Sequence, residues 1–197
     1  MNMKRFLKIA GDYTEWTVYR KAVIICDVTE LFINNALPKN SRTVDQMRQA
    51  ARSCKQNIVE GAGDATISME MGIKLIGVAR GSARELYEDY GDYLRQHDMA
   101  IWPLDHRFTI RTRNFCRNTS DPQKFMAAIK ECKSYGTVAN IMLTQLKQMD
   151  TLLAMTLKDM EEEFIKQGGI KEAMTRSRLD HRNNRNTPPG GDSGTPG

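Results

Sequence analysis

Clusters of Lys and Arg residues are the features of this sequence best suited to binding a ligand. They fall in three groups: a stripe on a predicted second helix, a segment that follows the predicted third helix, and a suffix near the C-terminus. Lys and Arg side chains bind phosphate oxygens, which supplies affinity without reading bases. A solvated charged face is the alternative for the helix stripe. The candidate residues are Arg48, Arg52 and Lys55, then Arg107, Arg111, Arg113 and Arg117, and finally Lys171, Arg176, Arg178, Arg182 and Arg185.

The suffix is the first candidate for contact with nucleic acid. Residues 168–186 carry more Lys and Arg than Asp and Glu, and a Gly- and Pro-rich tail follows them. Such a tail lacks the apolar residues needed for a packed core, so we expect it to be disordered. A flexible neighbour would let the suffix follow a phosphate backbone.

The sequence lacks the spacings that catalysis or metal binding needs. No Glu-x-x-His pair of a di-iron bundle occurs, and His97, His106 and His181 are isolated. The four cysteines show no Cys-x-x-Cys spacing, so we expect free thiols. A hydrogen-bonded network between helices explains four polar residues near small-residue faces better than a catalytic carboxylate pair does. These four residues are Asn57, Glu60, Ser82 and Glu85. We therefore expect no enzyme, no metal and no cofactor.

Size and composition narrow the class of protein. The chain has 197 residues and a formal net charge of +5, which fits one domain, or one domain with an appendage, and allows an anionic partner. The longest clean apolar run, from Ala22 to Cys26, is far shorter than the ~20 residues that span a bilayer. No apolar segment follows the basic residues near the start, so no secretory signal is expected. A cytoplasmic protein without a membrane span is the expectation.

Long stretches without Gly or Pro, together with apolar periodicity, predict an all-α fold. Helices are expected over 12–37, from Thr43 to 61–64, from Ser68 to Gln96, briefly from Pro103 to Arg117, and from Ser120 to Gln167 with a break near Gly136. The expected organisation is an N-terminal segment over 1–11, a helical bundle over 12–167 with an insert around 98–135, a basic suffix over 168–186, and the tail over 187–197.

The first helix is apolar all round its axis. Between Ala22 and Ile33 most residues are apolar, and Ile25 and Phe32 lie nearly opposite Trp16 and Val23. One bundle core cannot cover both sides of such a helix. Either additional C-terminal elements wrap it or it lies at a subunit interface, and the interface is the favoured interpretation.

Two glycines inside the third helix, Gly77 and Gly81, predict a close helix approach on that side. Each interior glycine costs ~1 kcal/mol relative to Ala, and tight packing would explain why two are tolerated.

Two spaced motifs carry a resemblance to a known family. They are QMRQAARSCKQNIVEGAG, from Gln46 to Gly63, and VARGSARELYEDYGDYL, from Val78 to Leu94. This pair resembles the bacterial four-helix bundle family, whose members include proteins encoded in intervening sequences of large-subunit ribosomal RNA genes and the accessory variability determinants of diversity-generating retroelements. The matching positions are Gln46, Arg48, Ala50, Ala51, Ser53, Asn57, Ile58, Glu60 and Gly61, then Ala79, Gly81, Ser82, Glu85 and Leu86.

The resemblance extends over about Tyr19 to Leu94, and the C-terminal part is similar to a longer branch that carries a suffix. Two positions depart from the pattern. Gln49 stands where the family usually has a second Arg, and Cys54 stands where Ile is common. The resemblance implies an antiparallel four-helix bundle with an inserted short helix and a C-terminal suffix, assembled as a homo-oligomer, typically a pentamer. For the retroelement members it also implies a reverse transcriptase and nucleic acid as partners.

These observations favour a non-enzymatic, oligomeric accessory protein that binds RNA or DNA through phosphate contacts. A retroelement reverse transcriptase and its RNA are the partners that the resemblance suggests. The alternative is a protein-interaction scaffold that binds no nucleic acid directly. Salt-insensitive binding would distinguish the scaffold, because phosphate contacts release counterions and weaken as salt rises.

Overall fold

Six α-helices make up the regular structure in the described part of the chain, which comprises residues 14, 16–65, 68–167, 178, 179 and 182 of a computed structural model. The all-α expectation is confirmed. The helices are α1 (Thr17–Ala36), α2 (Arg42–Asp64), α3 (Met69–Gln96), α4 (Arg107–Asn118), α5 (Pro122–Lys130) and α6 (Tyr135–Gln167). The chain divides into two units, residues 1–160 and 161–197. The cavity and contacts below belong to the first unit.

Side-chain caps set the starts of several helices. Ser68 and Asp121 accept hydrogen bonds from backbone N–H groups in the first turns of α3 and α5, close to the helix starts predicted at Ser68 and Ser120. Ser41, rather than Thr43, caps α2. Its Oγ accepts from the Thr43 N–H at 3.2 Å, so the helix begins at Arg42. Pro103 precedes α4 in the connecting loop instead of opening the helix, because His106 is the capping residue.

The predicted break between the last two helices lies just before Gly136. Residues 131–134 separate α5 from α6, and Gly136 stands in the first turn of α6. A Cβ at Gly136 would lie 2.5 Å from Met99 Sδ, so the absence of a side chain lets the start of α6 pack under the end of α3. Asp98, with a φ of 53°, turns the chain at that end.

Contacts between α1 and α2 show that these neighbours run antiparallel. Cys26 Sγ donates to the Ala51 carbonyl at 3.2 Å, and the Arg48 guanidinium pairs with Glu30 at 3.0 Å. Residues later in α1 therefore contact residues earlier in α2, as in an antiparallel pair. The short connection over residues 37–41 allows only such an arrangement.

The contacts of α3 with α6 have the same antiparallel sense. Asp150 accepts from Arg80 Nε and Arg84 Nε, both at 2.7 Å, while the end of α3 meets the start of α6 near Gly136. These hydrogen bonds lower the pKa of the Asp150 carboxyl, the Arg80 bond contributing most. Two pairs of helices are thus antiparallel, α1 with α2 and α3 with α6.

The chain's own helices bury the side of α1 that carries Ile25 and Phe32, while Asp27, Glu30 and Asn34 on the opposite side are exposed. Ile25 and Phe32 are each 0% exposed, and α5 packs against α1 in addition to α2. The Phe32 ring lies 4.8 Å from those of Tyr90 and Tyr93 on α3. The favoured subunit interface at Ile25 and Phe32 is therefore wrong. Helices α2, α3 and α5 cover these residues, whereas the other interpretation assigned the cover to additional C-terminal elements.

The close helix approach occurs at different glycines from those predicted. A Cβ at Gly77 or Gly81 would meet nothing within 4 Å, so the prediction of close packing at these two positions is wrong. A Cβ at Gly72 would instead lie 2.7 Å from Ala65 Cβ and 2.9 Å from the Gly61 carbonyl oxygen. The tight contact is thus between the end of α2 and the start of α3.

Substituting the two classes of glycine should give opposite effects. Gly72→Ala should lower the free energy of unfolding by about 1–2 kcal/mol, because the new methyl overpacks against backbone. Gly81→Ala, the matched control in the same helix, should raise it by about 0.5–1 kcal/mol, because Ala restricts the unfolded chain. Urea denaturation followed by circular dichroism measures both. Shifts of the same sign would contradict the assignment of Gly72 to the contact.

Candidate functional site

A cavity of about 750 Å³ lies between α1, α3, α4, α6 and the loop over residues 101–104. Its apolar wall includes Leu143 and Leu152 of α6, and the rings of Tyr87 and Trp102 also line it. This volume is within the ~300–1,000 Å³ range of small-molecule sites. The cavity is therefore the candidate functional site of the described residues.

Four cationic side chains line this cavity: Lys21 from α1, Arg113 and Arg117 from α4, and Lys147 from α6. Arg113 and Arg117 are one helical turn apart, so they lie on the same face of α4. Among the described residues, neither Asp nor Glu lines the cavity, and no carboxylate forms an ion pair with any of the four. We call these residues the cavity cations.

Lys21 is the most deeply buried of the cavity cations, at 3% exposure. Its Nζ donates to the Cys116 carbonyl at 2.5 Å and to Gln145 Oε1 at 3.4 Å. The Cys116 carbonyl belongs to the last turn of α4, so the ammonium caps the negative end of that helix. An ammonium has three donor hydrogens, and these two acceptors leave one of them available.

Burial sets the protonation chemistry around Lys21. It lowers the pKa of the Lys21 ammonium, because a buried site disfavours the charged form. Burial also raises the pKa of the Cys116 thiol to about 12, so this neighbour is a neutral thiol near neutral pH and provides no counter-charge. The amide nitrogen of Gln145 is buried without a hydrogen-bond partner among the described residues. The buried Lys21 ammonium therefore has no negatively charged partner, and the buried Gln145 Nε2 has no hydrogen-bond partner, among the described residues.

The loop that closes one side of the cavity is fixed by side chains of α4 and α6. Asn140 Oδ1 accepts from the Trp102 N–H at 2.8 Å, and Asn140 Nδ2 donates to the Ala100 carbonyl at 3.0 Å. Thr109 Oγ1 donates to the Pro103 carbonyl at 2.7 Å. These bonds hold the Trp102 backbone and with it the aromatic wall of the cavity.

The four arginines of α4 serve two surfaces. Arg113 and Arg117 line the cavity, and Arg113 Nη2 also donates to the Leu104 carbonyl at 3.1 Å. Arg107 and Arg111 are exposed, and Arg107 Cζ lies 4.7 Å from the centre of the Phe108 ring. Arg107 and Arg111 therefore form an outer basic surface of α4.

The predicted basic stripe on α2 is partly neutralised by the protein itself. Arg48 pairs with Glu30 at 3.0 Å and with Asp45 at 3.3 Å, and the Arg48 hydrogen bond lowers the pKa of Glu30. Arg52 is exposed, and Lys55 is half-buried. Fewer charges of this stripe are therefore free of an ion pair than its sequence indicated.

Two residues of the predicted suffix belong to the described part of the chain. Arg178 and Arg182 are helical and exposed. Lys171, Arg176 and Arg185 lie outside the described residues.

The predicted polar network between α2 and α3 includes two of its four members. Ser82 Oγ donates to Ser53 Oγ at 2.9 Å, and Asn57 Nδ2 donates to the Ser53 carbonyl at 2.9 Å. Glu60 and Glu85 are exposed and take no part in these bonds. Ser53, which the sequence argument did not single out, connects the network.

Clustered metal ligands and long apolar helices are both missing from the described residues. No group of His, Cys, Asp and Glu among them could hold a metal ion, and all four cysteines are free. None of the helices in that part of the chain has the length and apolar character needed to cross a membrane.

Sequence reasoning missed most of the cavity. Lys21 did carry a signal, because it occurs on the same helical face as the buried residues Val18 and Ile25. No sequence pattern pointed to Lys147 or Trp102, because their presence in the same cavity depends on how the loop and α6 pack.

A lysine titration tests the electrostatic account of the site. The Lys21 amine should titrate below the ordinary lysine value of about 10.4. Gln145→Glu should raise this pKa, because the isosteric carboxylate favours the charged ammonium. NMR of ¹³Cε-labelled lysine measures both, with Lys21→Met to assign the resonance. An ordinary or higher pKa in the unsubstituted protein would contradict the burial of an ammonium without a carboxylate partner.

Comparisons with protein-family models, with curated proteins and with solved structures found no match. The resemblance to the four-helix bundle family therefore stays a prediction from two sequence motifs. The site is defined by its own geometry as a cationic cavity beside an outer basic surface.

Proposed function

We propose that this chain is a non-enzymatic, oligomeric protein that binds nucleic acid, with the outer basic surface of α4 as a main contact. The main support for this proposal is the charge of α4, which has four arginines and neither Asp nor Glu. Two of them, Arg107 and Arg111, are exposed and form no ion pair with a described carboxylate. Uncommitted exposed guanidinium groups suit phosphate contact.

Aromatic side chains beside these arginines favour a single strand over a duplex. Phe108 is 41% exposed, and its ring lies 5.4 Å from that of Trp102. Exposed aromatic rings next to cations are typical of single-strand sites, where unpaired bases stack on the rings and cations follow the backbone. RNA is the first choice, because the family resemblance adds a retroelement reverse transcriptase and its RNA as proposed partners.

The suffix is proposed as a second contact. Arg178 and Arg182 are exposed, and their charge would add to that of α4 if both bind one strand. Oligomerisation would multiply these contacts, so weak binding by one chain could become strong through avidity.

Two exposed apolar residues on one side of α3 support self-association. Met71 and Val78 are 46% and 50% exposed, and their spacing of seven residues places both on one side of the helix. A second copy that covers this face would remove apolar area from water.

Light scattering tests the proposed assembly. The full chain should have a mass above the 22.4 kDa of one subunit, with a pentamer expected from the resemblance. Val78→Asp should lower the mass, because a carboxylate would be desolvated at the contact. Ile110→Asp, an equivalent change on an exposed residue of α4, should leave the mass unchanged. A single-subunit mass at micromolar concentration would contradict self-association.

Salt-dependent RNA binding tests the proposed function. Fluorescence anisotropy with a labelled single-stranded RNA should show affinity that falls with salt. Replacing Arg107 and Arg111 together by Gln should reduce the slope of log affinity against log salt by ~0.7 for each phosphate that the variant no longer binds. Changing Arg176, Arg178, Arg182 and Arg185 to Gln should reduce it further.

The matched control is a double variant, Lys39→Gln with Arg95→Gln. Both residues are exposed and lie outside α4, the suffix and the α3 face that carries Met71 and Val78, so the control removes the same charge without touching a proposed contact. No RNA binding, or an equal reduction in the control, would contradict the proposal. Salt-insensitive capture of a reverse transcriptase without RNA would favour the scaffold alternative.

A further inference from the structure

We infer that the cavity between α1, α4 and α6 binds a nucleoside phosphate, with the cavity cations around the phosphate and the Trp102 and Tyr87 rings beside the base. This inference does not depend on RNA binding by the outer surface of α4. It concerns Arg113 and Arg117, whereas the proposed RNA surface uses Arg107 and Arg111; the Trp102 ring borders both.

The charge of the lining argues for an anion. Four cations share one cavity, and no Asp or Glu among the described residues lines it. Lys21 is buried and bonded only to neutral acceptors, the Cys116 carbonyl and Gln145 Oε1. A buried charge without a counter-charge is costly, and a bound anion would relieve that cost.

The number of cations favours a phosphate over a carboxylate. One carboxylate neutralises one positive charge and would leave the other three close together. A phosphate monoester carries nearly two charges near neutral pH and presents three acceptor oxygens. Those oxygens suit several donors at once, including the remaining donor hydrogen of Lys21 and the guanidinium groups of Arg113 and Arg117.

The walls of the cavity argue for a flat, partly apolar body attached to the phosphate. Trp102 and Tyr87 supply aromatic rings, and Leu143 and Leu152 supply apolar surface. Aromatic side chains bind bases by stacking. The volume of about 750 Å³ exceeds what inorganic phosphate needs and suits a drug-sized ligand.

Two neutral acceptors in the lining suit the N–H groups of a base. Gln148 Nε2 donates to the Arg113 carbonyl at 2.9 Å, which fixes the amide and leaves Oε1 as an acceptor. Thr144 donates its hydroxyl hydrogen to the Asn140 carbonyl, so its oxygen can only accept further bonds. Nucleoside phosphates combine an anion, a flat ring and N–H donors in one molecule.

Two sources could supply such a group: a free mononucleotide, or a nucleotide of an RNA strand. Isothermal titration calorimetry with the full chain separates them. The probes are AMP, UMP, adenosine, inorganic phosphate, and a four-nucleotide adenosine RNA with a 5′-phosphate. AMP or UMP should bind at least about tenfold more tightly than adenosine or inorganic phosphate, because each of those lacks one half of the ligand.

Variants on the rim test the cavity without disturbing the core. Arg117→Gln combined with Lys147→Gln should weaken mononucleotide binding by about tenfold or more, since both residues are exposed and line the cavity. Gln145→Glu should also weaken it, because an internal carboxylate would compete for Lys21. Lys130→Gln, a change at an exposed lysine of α5 outside the lining, is the control and should bind as the unsubstituted protein does. Circular dichroism verifies that each variant is folded.

The outcomes are distinct. A mononucleotide bound more tightly than the short RNA identifies a free-nucleotide site, whereas a tighter short RNA with the same sensitivity to Arg117 and Lys147 identifies a strand site; both support the inference. Absence of binding by AMP and UMP, inorganic phosphate bound as tightly as AMP, or unchanged affinity in the rim variants would overturn it. A fall in RNA anisotropy on replacing Arg107 and Arg111, with AMP binding retained, would show that the two sites are separate.

Discussion

The ammonium of Lys21 is the interaction on which the arrangement of the site depends. It joins three helices at one point, because α1 supplies the lysine, α4 the Cys116 carbonyl and α6 the Gln145 side chain. Each of these acceptors would otherwise be a buried polar group without a donor, which is costly in a protein interior. The same ammonium has no carboxylate partner among the described residues. The contact that holds α4 against α1 therefore also places an unneutralised positive charge in the lining of the cavity.

Packing elsewhere among α1, α2 and α3 depends on small residues and on aromatic rings. Close approach at Gly72 joins α2 to α3, and the ring of Phe32 fills the space between α1 and α3 against Tyr90 and Tyr93. Thr29 and Tyr90 share a hydrogen bond of 3.1 Å, which satisfies two buried hydroxyls within the same layer. These contacts bury one side of α1, and α5 adds to its cover. The insert therefore has a structural role in addition to carrying the basic residues.

The ion pairs distinguish arginines that stabilise the bundle from arginines that pair with no described carboxylate. Asp150 pairs with Arg80 and Arg84 across α3 and α6, and Glu30 pairs with Arg48 across α1 and α2, so those arginines serve the bundle. The arginines of α4 have no carboxylate in their own helix. Helix α4 thus concentrates positive charge that folding does not neutralise, which is why both the proposed RNA surface and the inferred nucleotide site include it.

The sequence by itself determined the helical content, most helix ends and the break before Gly136, because capping residues, breakers and apolar periodicity act locally. Motif spacing also indicated the Ser82 and Asn57 network, since those positions follow the small-residue faces of their helices. Only the tertiary structure decided what covers Ile25 and Phe32, because an apolar face has the same pattern whether its own chain or a second copy buries it. It likewise decided that Gly72 rather than Gly81 is in tight contact, and that Lys21, Arg113, Arg117 and Lys147 meet. These residues are distant in sequence, and only the packing of α4 and α6 against α1 brings their charges together.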